Sequence, residues 1–304
     1  MDRLASRRQF LHTSSLAGVG LVGHALSVRP AAAIEPIERL DGPKFKFSLA
    51  AYGYRDLLKG NPAKLTLSDF VRDCAKMNLD ATELTSYYFP DPVSDDYLRS
   101  LKAECFRLGL DVSGTAVGND FCHPPGAKRD EQIAYVKKWV DHAVTMGAPV
   151  IRIFSGHTRD GQSPAEAHRL AVDAIETCCD YAGRHGVFLA LENHGGLTAQ
   201  VESMLSIIRD VQSPWFGVNL DTGNFYSNDV YAELSKIAPY AVNVQVKVSI
   251  KPANQQRQPS DFKRLAGILR AAGYRGYIVL EFEEKEDPRT ACPRYIDQLR
   301  EAFA

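Results

Sequence analysis

Val187-Phe188-Leu189-Ala190-Leu191-Glu192-Asn193-His194-Gly195-Gly196 starts as an unbroken apolar run and ends on a carboxylate, an amide and an imidazole. His185-Gly186 precedes the run, and two glycines release the backbone after it. A short apolar run bounded in this way predicts a strand buried on both faces. Polar groups collected at the end of such a strand ask for a site there, because parallel α/β folds place their chemistry at the strand C-terminal ends.

Working outward, the unit repeats. Strand-like runs stand at Phe45–Ala51, Asp80–Leu84, Asp111–Ala116, Val150–Phe154, Val187–Leu191, Phe216–Leu220, Val242–Val248 and Tyr277–Phe282. Helical patterns lie between them at Leu67–Met77, Asp95–Leu108, Asp130–Met146, Pro164–His185, Val201–Arg209, Asp229–Ile237, Ser260–Ala272 and Pro288–Phe303. Gly109, Gly147, Gly186 and Gly273 supply helix stops. Eight strands alternating with eight helices over 45–304 predict a single-domain α/β chain, a (β/α)8 TIM barrel. A doubly wound open sheet is the alternative. Its dinucleotide-binding version is disfavoured, because no G-x-G-x-x-G follows the first strand.

In a barrel the strand exits converge. Strand six leads into Asn219-Leu220-Asp221-Thr222-Gly223-Asn224, strand seven reads Asn243-Val244-Gln245-Val246-Lys247, and strand eight reads Leu280-Glu281-Phe282-Glu283. Glu192, Asp221, Gln245 and Glu281 therefore put an oxygen donor at four successive exits, separated by 29, 24 and 36 residues. Each separation is close to one βα unit. In strand seven, apolar residues at 242, 244, 246 and 248 alternate with Asn243, Gln245 and Lys247. The outward face must pack on helices, so the polar set points into the barrel, where burial is costly without partners. Three inward polar groups in a row predict a site lined with ligand, metal or water.

The 304 residues are 45% hydrophobic and 24% charged, with 36 basic against 37 acidic residues and a net charge of -1. No basic block suggests nucleic acid as a partner. Ser6-Arg7-Arg8-Gln9-Phe10-Leu11, a mildly apolar stretch to Val28 and Ala31-Ala32-Ala33 resemble a twin-arginine export signal with a small-residue cleavage site. The expectation is a signal peptide over 1–33, a linker over 34–44, and export in the folded state to a periplasmic or other extracytoplasmic location. The apolar stretch is too short and too rich in glycine for a good spanning helix, and no stable membrane span is expected in the mature chain. The six cysteines show no C-x-x-C and read as buried small hydrophobes.

The Leu191-Glu192-Asn193-His194, Asn219-to-Asn224, Val246-Lys247 and Leu280-to-Glu283 stretches resemble the metal and acid/base strands of the xylose-isomerase-like barrels, a superfamily of sugar isomerases, epimerases and inosose-dehydratase-like enzymes. The resemblance covers nearly all of 45–304. It implies one divalent metal held by a Glu, an Asp, a His and a Glu, matched here by Glu192, Asp221 and Glu281. Gln245 stands where the family has the histidine, and Asn224 stands where it has another histidine after the strand-six Asp. Three carboxylates and an amide suit Mn²⁺ or Mg²⁺ better than Co²⁺ or Zn²⁺.

The chemistry so implied is proton transfer next to a carbonyl. Glu192 and Glu281 are the candidate catalytic pair: one removes an α-proton to give an enediolate, and the other returns it. Return to the other face is epimerisation, return to the other carbon is isomerisation, and loss of a β-hydroxyl is dehydration. Lys247, Asn224, His194, Glu83 and Asn119 are the candidate substrate-binding residues. Each has a structural alternative: Lys247 could pair with Asp221 or Glu281, His194 could bond the backbone, Asn119 could cap a turn, and Glu83 and Arg152 could brace the barrel mouth. Tyr87-Tyr88-Phe89 offers either an aromatic wall for a sugar or ordinary packing. No Gly-rich phosphate cradle follows strands seven and eight, so the expected partner is a small, unphosphorylated carbohydrate: a free sugar, keto-sugar, inosose or 3-keto-glycoside. A non-catalytic carbohydrate-binding barrel is an alternative. A zinc-dependent abasic-site endonuclease fits less well, because two of only eight histidines, His12 and His24, lie in the leader. A homo-oligomer is left open.

Overall fold

The computed structural model describes residues 34–60 and 62–304, and the twin-arginine stretch lies outside the described residues. Eight parallel strands close into a barrel in chain order, with the first pairing the eighth. They are Lys44–Ala50, Ala81–Thr85, Asp111–Ala116, Val150–Ile153, Phe188–Glu192, Phe216–Asp221, Ala241–Val246 and Arg275–Leu280. The helices that follow them are Leu67–Lys76, Asp95–Arg107, Ala127–Met146, Pro164–Arg184, Val201–Asp210, Val230–Ile237, Phe262–Ala271 and Pro288–Phe303. The (β/α)8 barrel expected from the alternation is the observed fold. A two-stranded hairpin, Ser249–Ile250 with Gln258–Pro259, is added after strand seven. Strand seven consequently stops at Val246, two residues short of the expected Val248.

Local chemistry sets the helix starts. Thr66 and Asp69 form a reciprocal capping box, and Ser94, Ser163, Asp229, Asp261 and Asp287 each accept a backbone N–H of the following first turn. Each such cap stabilises by about 1 kcal/mol. Leu, Ile, Val and Phe side chains fill the layer between barrel and helices.

The expected linker is pinned across the N-terminal end of the barrel. Ile37 N donates to Pro239 O at 3.0 Å, and Arg39 donates to Ala241 O. Arg275 Nη1 donates to Leu40 O at 3.1 Å and Gly42 O at 2.8 Å. A cavity of about 990 Å³ lies at this end among Ile34, Ile37, Pro149, Phe188 and Phe216, away from the strand exits. Among the described residues no helix is long and apolar enough to cross a membrane.

Candidate functional site

Glu192 closes strand five, and the residues after it fix its place. Asn193 Nδ2 donates to Asp221 O, and Asn193 Oδ1 accepts from Asp221 N, both at 2.9 Å. This amide fastens the exit of strand five to that of strand six. Thr198 Oγ1 donates to Glu192 O at 2.9 Å and accepts from His194 N at 3.0 Å. Gly196 has φ +52°, and a Cβ on it would lie 2.2 Å from Gly156 O. Only glycine lets this exit rest on the exit of strand four.

Asn119 does at strands three and four what Asn193 does at five and six. Its Nδ2 donates to Phe154 O at 2.7 Å and its Oδ1 accepts from Phe154 N at 2.9 Å. Expected at the substrate pocket, it is buried with both ends of its amide on main chain.

Two groups of buried polar side chains fill the barrel above Ser48 and Ser113. The deeper group is a closed ring. Gln245 Nε2 donates to Glu83 Oε1 at 2.6 Å, and Asn243 Nδ2 donates to Glu83 Oε2 at 2.9 Å. Asn243 Nδ2 also donates to Asn219 Oδ1 at 2.8 Å, and Asn219 Nδ2 donates to Gln245 Oε1 at 2.6 Å. A carboxylate only accepts, so Glu83 dictates which way every amide in the ring faces. Gln245, expected as a metal ligand, reaches back to Asn219 and Glu83.

The upper group is charged. Arg152 Nε lies 2.9 Å from Glu192 Oε2, as a charge contact rather than an aligned hydrogen bond. Arg152 Nη1 donates to Val117 O at 2.8 Å, and its guanidinium lies 4.0 Å from the centre of the Phe154 ring. Asn224 Nδ2 donates to Glu192 Oε1 at 2.8 Å. Lys247 Nζ lies among three carboxylates: Glu281 Oε2 at 2.6 Å, Glu283 Oε1 at 2.9 Å and Asp221 Oδ2 at 3.2 Å. That last oxygen is buried, faces the ammonium and has no aligned hydrogen bond. The other Asp221 oxygen accepts from Gly223 N at 2.8 Å.

These surroundings split the carboxyl groups. Burial raises Glu192 to about 7, with the Glu281 charge adding to it and Arg152 opposing it. Burial likewise raises Asp221 well above the usual range. Burial also acts to raise Glu281, but Lys247, by charge and hydrogen bond, and Arg152 outweigh it, and this group lies below the usual range. Burial, with the Glu281 charge, raises Glu83 to about 7 against the hydrogen bonds it accepts. Burial lowers Lys247, but Asp221, Glu281 and Glu283 raise it further, so it is a firm ammonium.

Around this centre, Tyr87 is exposed, its ring 6.5 Å from Tyr52 and 6.2 Å from Tyr88. His194 stacks on Phe154 at 4.4 Å, and burial, with the charges of Arg152 and Lys247, lowers its pKa. It is exposed at the rim.

A family model described as "Xylose isomerase-like TIM barrel" matches residues 71–302. The chain belongs to this family. Solved structures with the same fold include D-psicose 3-epimerase from Clostridium cellulolyticum H10 with D-tagatose, 14% identical, TM-score 0.70, matched over 85% of this chain and 99% of that one. L-ribulose 3-epimerase is 16% identical, TM-score 0.71, over 85% and 94%. The 3-keto-D-glucoside 4-epimerase from E. coli is 17% identical, TM-score 0.66, over 85% and 99%. At these identities the likeness is one of fold.

The divalent ion that resemblance to this family implied does not fit the donor set of this xylose isomerase-like barrel. The three carboxylates that do converge, those of Asp221, Glu281 and Glu283, converge on the Lys247 ammonium. The four expected donors are divided: Gln245 belongs to the deeper ring, Glu192 faces Arg152 and Asn224, and Asp221 and Glu281 face an ammonium. The sequence reading gave Arg152 only a bracing role and passed over Asn219 and Glu283. Strand alternation could have found Asn219 and Glu283, since each lies two residues from an expected site residue on the same face.

Proposed function

We propose that this barrel catalyses proton transfer at a carbon next to the carbonyl of an unphosphorylated sugar or keto-sugar, as an epimerase or isomerase. The carrying observation is that Glu192 and Glu281, three strands apart around the barrel mouth, are both buried and each faces its own cation. Carboxyl groups pushed apart in acidity divide into an acid and a base. Glu281, held ionised by Lys247, takes the α-proton. The electron pair of the broken C–H bond moves to the carbonyl oxygen, whose charge is met by the buried cations of the site. Glu192, raised toward neutrality, returns a proton to the carbon skeleton. Asn224 holds Glu192 in place for that step.

The cations support an uncharged substrate. Lys247 and Arg152 are already paired with carboxylates, and Arg55 is engaged with the main-chain oxygens of Phe282 and Glu283. A dianionic phosphate would have to displace these partners. The ring faces of Tyr52, Tyr87 and Tyr88 offer apolar surface for a sugar's C–H face. The test is incubation in D₂O with a panel of ketoses, inososes and 3-keto-glycosides, followed by NMR. Deuterium should enter at an α-carbon. A sugar that binds without any exchange would convert the reading to a carbohydrate-binding barrel.

The place of action is part of the proposal. Arg7-Arg8 with Phe10-Leu11 support export by the twin-arginine route. Replacing both arginines by lysine should leave the protein in the cytoplasm, checked by fractionation; unchanged export would refute the signal.

A further inference from the structure

We propose that the Lys247 ammonium is the resident cation of this site, standing where relatives of the fold would need a divalent ion, and that it meets the enolate oxygen itself. The inference rests on the proton-transfer reading above. The geometry is specific. Asp221 and Glu281, two of the expected metal ligands, point their oxygens at Nζ, at 3.2 and 2.6 Å, and Glu283 completes the cage at 2.9 Å. An ion placed among these oxygens would lie against an ammonium of its own sign.

The chain builds this place for a lysine. Lys247 directly follows the last residue of strand seven, Val246, and continues the inward alternation of Asn243 and Gln245. Its N–H donates to Thr222 Oγ1 at 2.9 Å, and its O accepts from Ser260 Oγ at 2.6 Å. A Cβ on Gly223 would lie 2.7 Å from Lys247 Cδ. The strand-six exit is therefore pressed directly onto the lysine stem, which leaves Nζ little freedom.

The cage also has an open side. Asp221 and Glu281 side chains are 0% and 7% exposed, whereas Glu283 is 31% exposed. Glu283 is the arm a substrate oxygen can displace. When Glu281 takes the α-proton and the C–H electrons move to oxygen, that oxygen takes Glu283's place on Nζ. The lysine stays protonated throughout and forms no bond to carbon, so no other reactant is needed.

The experiment titrates Mn²⁺ into full-length protein after EDTA dialysis, reading heat and thermal shift, in wild type, Lys247→Ala and Lys247→Met. Wild type and Lys247→Met should show no saturable binding up to about 1 mM. Lys247→Ala, which removes the charge and opens the space between the carboxylates, should bind at least roughly tenfold more tightly. EDTA should leave wild-type deuterium exchange unchanged. Lys247→Met should lower its kcat about 10²- to 10³-fold, as for loss of one preorganised donor. One divalent ion per wild-type chain surviving dialysis, or micromolar Mn²⁺ binding, overturns the proposal. So does a borohydride-trapped sugar on Lys247, which would make it an imine-forming amine. If Lys247→Ala does not fold, the wild-type titration still decides. Absence of exchange with every sugar would sink the reaction and leave the metal titration to judge the lysine.

Discussion

The deeper and upper polar groups sit one above the other in the same barrel and satisfy burial in opposite ways. The deeper group is a closed ring of three amides around Glu83, in which every donor has an acceptor. The upper group is ionic, with Arg152 on Glu192 and Lys247 among three carboxylates, and it keeps one Asp221 oxygen without an aligned hydrogen bond. Full satisfaction makes a rigid floor, and incomplete satisfaction leaves groups that gain when a substrate arrives. Chemistry is therefore expected in the upper group and architecture in the deeper one.

The largest effect should come from Glu281→Gln, which removes the base and keeps the shape. Deuterium exchange should fall about 10³-fold, within the range for a general base, and melting at neutral pH should fall as well because the Lys247 pairing is weakened. Loss of exchange on Glu83→Gln instead, with Glu281→Gln unaffected, would invert the comparison.

Next is Arg152→Leu. It strands Glu192 without its cation and removes the stack on Phe154. Breaking one side of a buried ion pair costs about 3–5 kcal/mol, measured by urea unfolding. The double variant Arg152→Leu, Glu192→Leu should recover most of that, because the uncompensated charge is gone. Equal destabilisation of single and double variants would show that the pair is not the source of the loss.

The barrel and its exits were legible in the sequence because both follow from periodicity. Strand alternation placed Asn243, Gln245 and Lys247 inward, and the βα period brought Glu192, Asp221 and Glu281 to one end. What the sequence withheld was pairing. Whether Gln245 faces the mouth or Asn219 depends on a contact between residues 26 positions apart, and on Glu83, 162 positions away. Lys247 was legible as inward-facing, but not as the centre of a cage. Its third partner, Glu283, lies one inward step beyond the expected ligand on strand eight. Asn119 has the composition of a pocket residue, and only the fold shows its amide fastened to Phe154.

A pH series sharpens the comparison at intermediate size. Glu83 and Glu192 are both raised from 4.5 to about 7. A carboxyl raised on folding contributes stability that is fully present below about pH 4.5 and lost as pH rises through about 7. At about 1.4 kcal/mol per pKa unit, each contribution is on the order of 3 kcal/mol. Glu281, lowered on folding, acts with the opposite sign: its contribution is present above about pH 4.5 and lost as pH falls through its lower folded value. Relative to wild type, Glu192→Gln should therefore gain stability between pH 5 and 8. A constant difference across that window would mean Glu192 does not titrate there.

The smallest effect tests the floor by counting donors. Around the ring, Gln245 and Asn219 each give one hydrogen bond and accept one. Asn243 gives two from a single Nδ2, so Glu83 must accept two. Glutamine at 83 has the same shape but one acceptor and one donor. Turning Gln245 and Asn219 over to suit it only moves the mismatch on to Asn243, whose single nitrogen cannot accept. One ring contact must become donor against donor, or acceptor against acceptor if Asn243 turns, whichever way the amides face. Glu83→Gln should thus cost about 1–3 kcal/mol, the penalty for an unsatisfied buried polar group, despite being isosteric. The loss should appear as a fall in melting temperature at pH 5, where Glu83 in the folded chain is protonated and the charge it carries at higher pH does not confuse the comparison. A protonated carboxyl still accepts at both oxygens when its own hydrogen turns aside, so the ring stays closed in wild type under that condition. If Glu83→Gln melts with wild type at pH 5, the amides face other ways than described, and Gln245 Oε1 is released to point at the mouth.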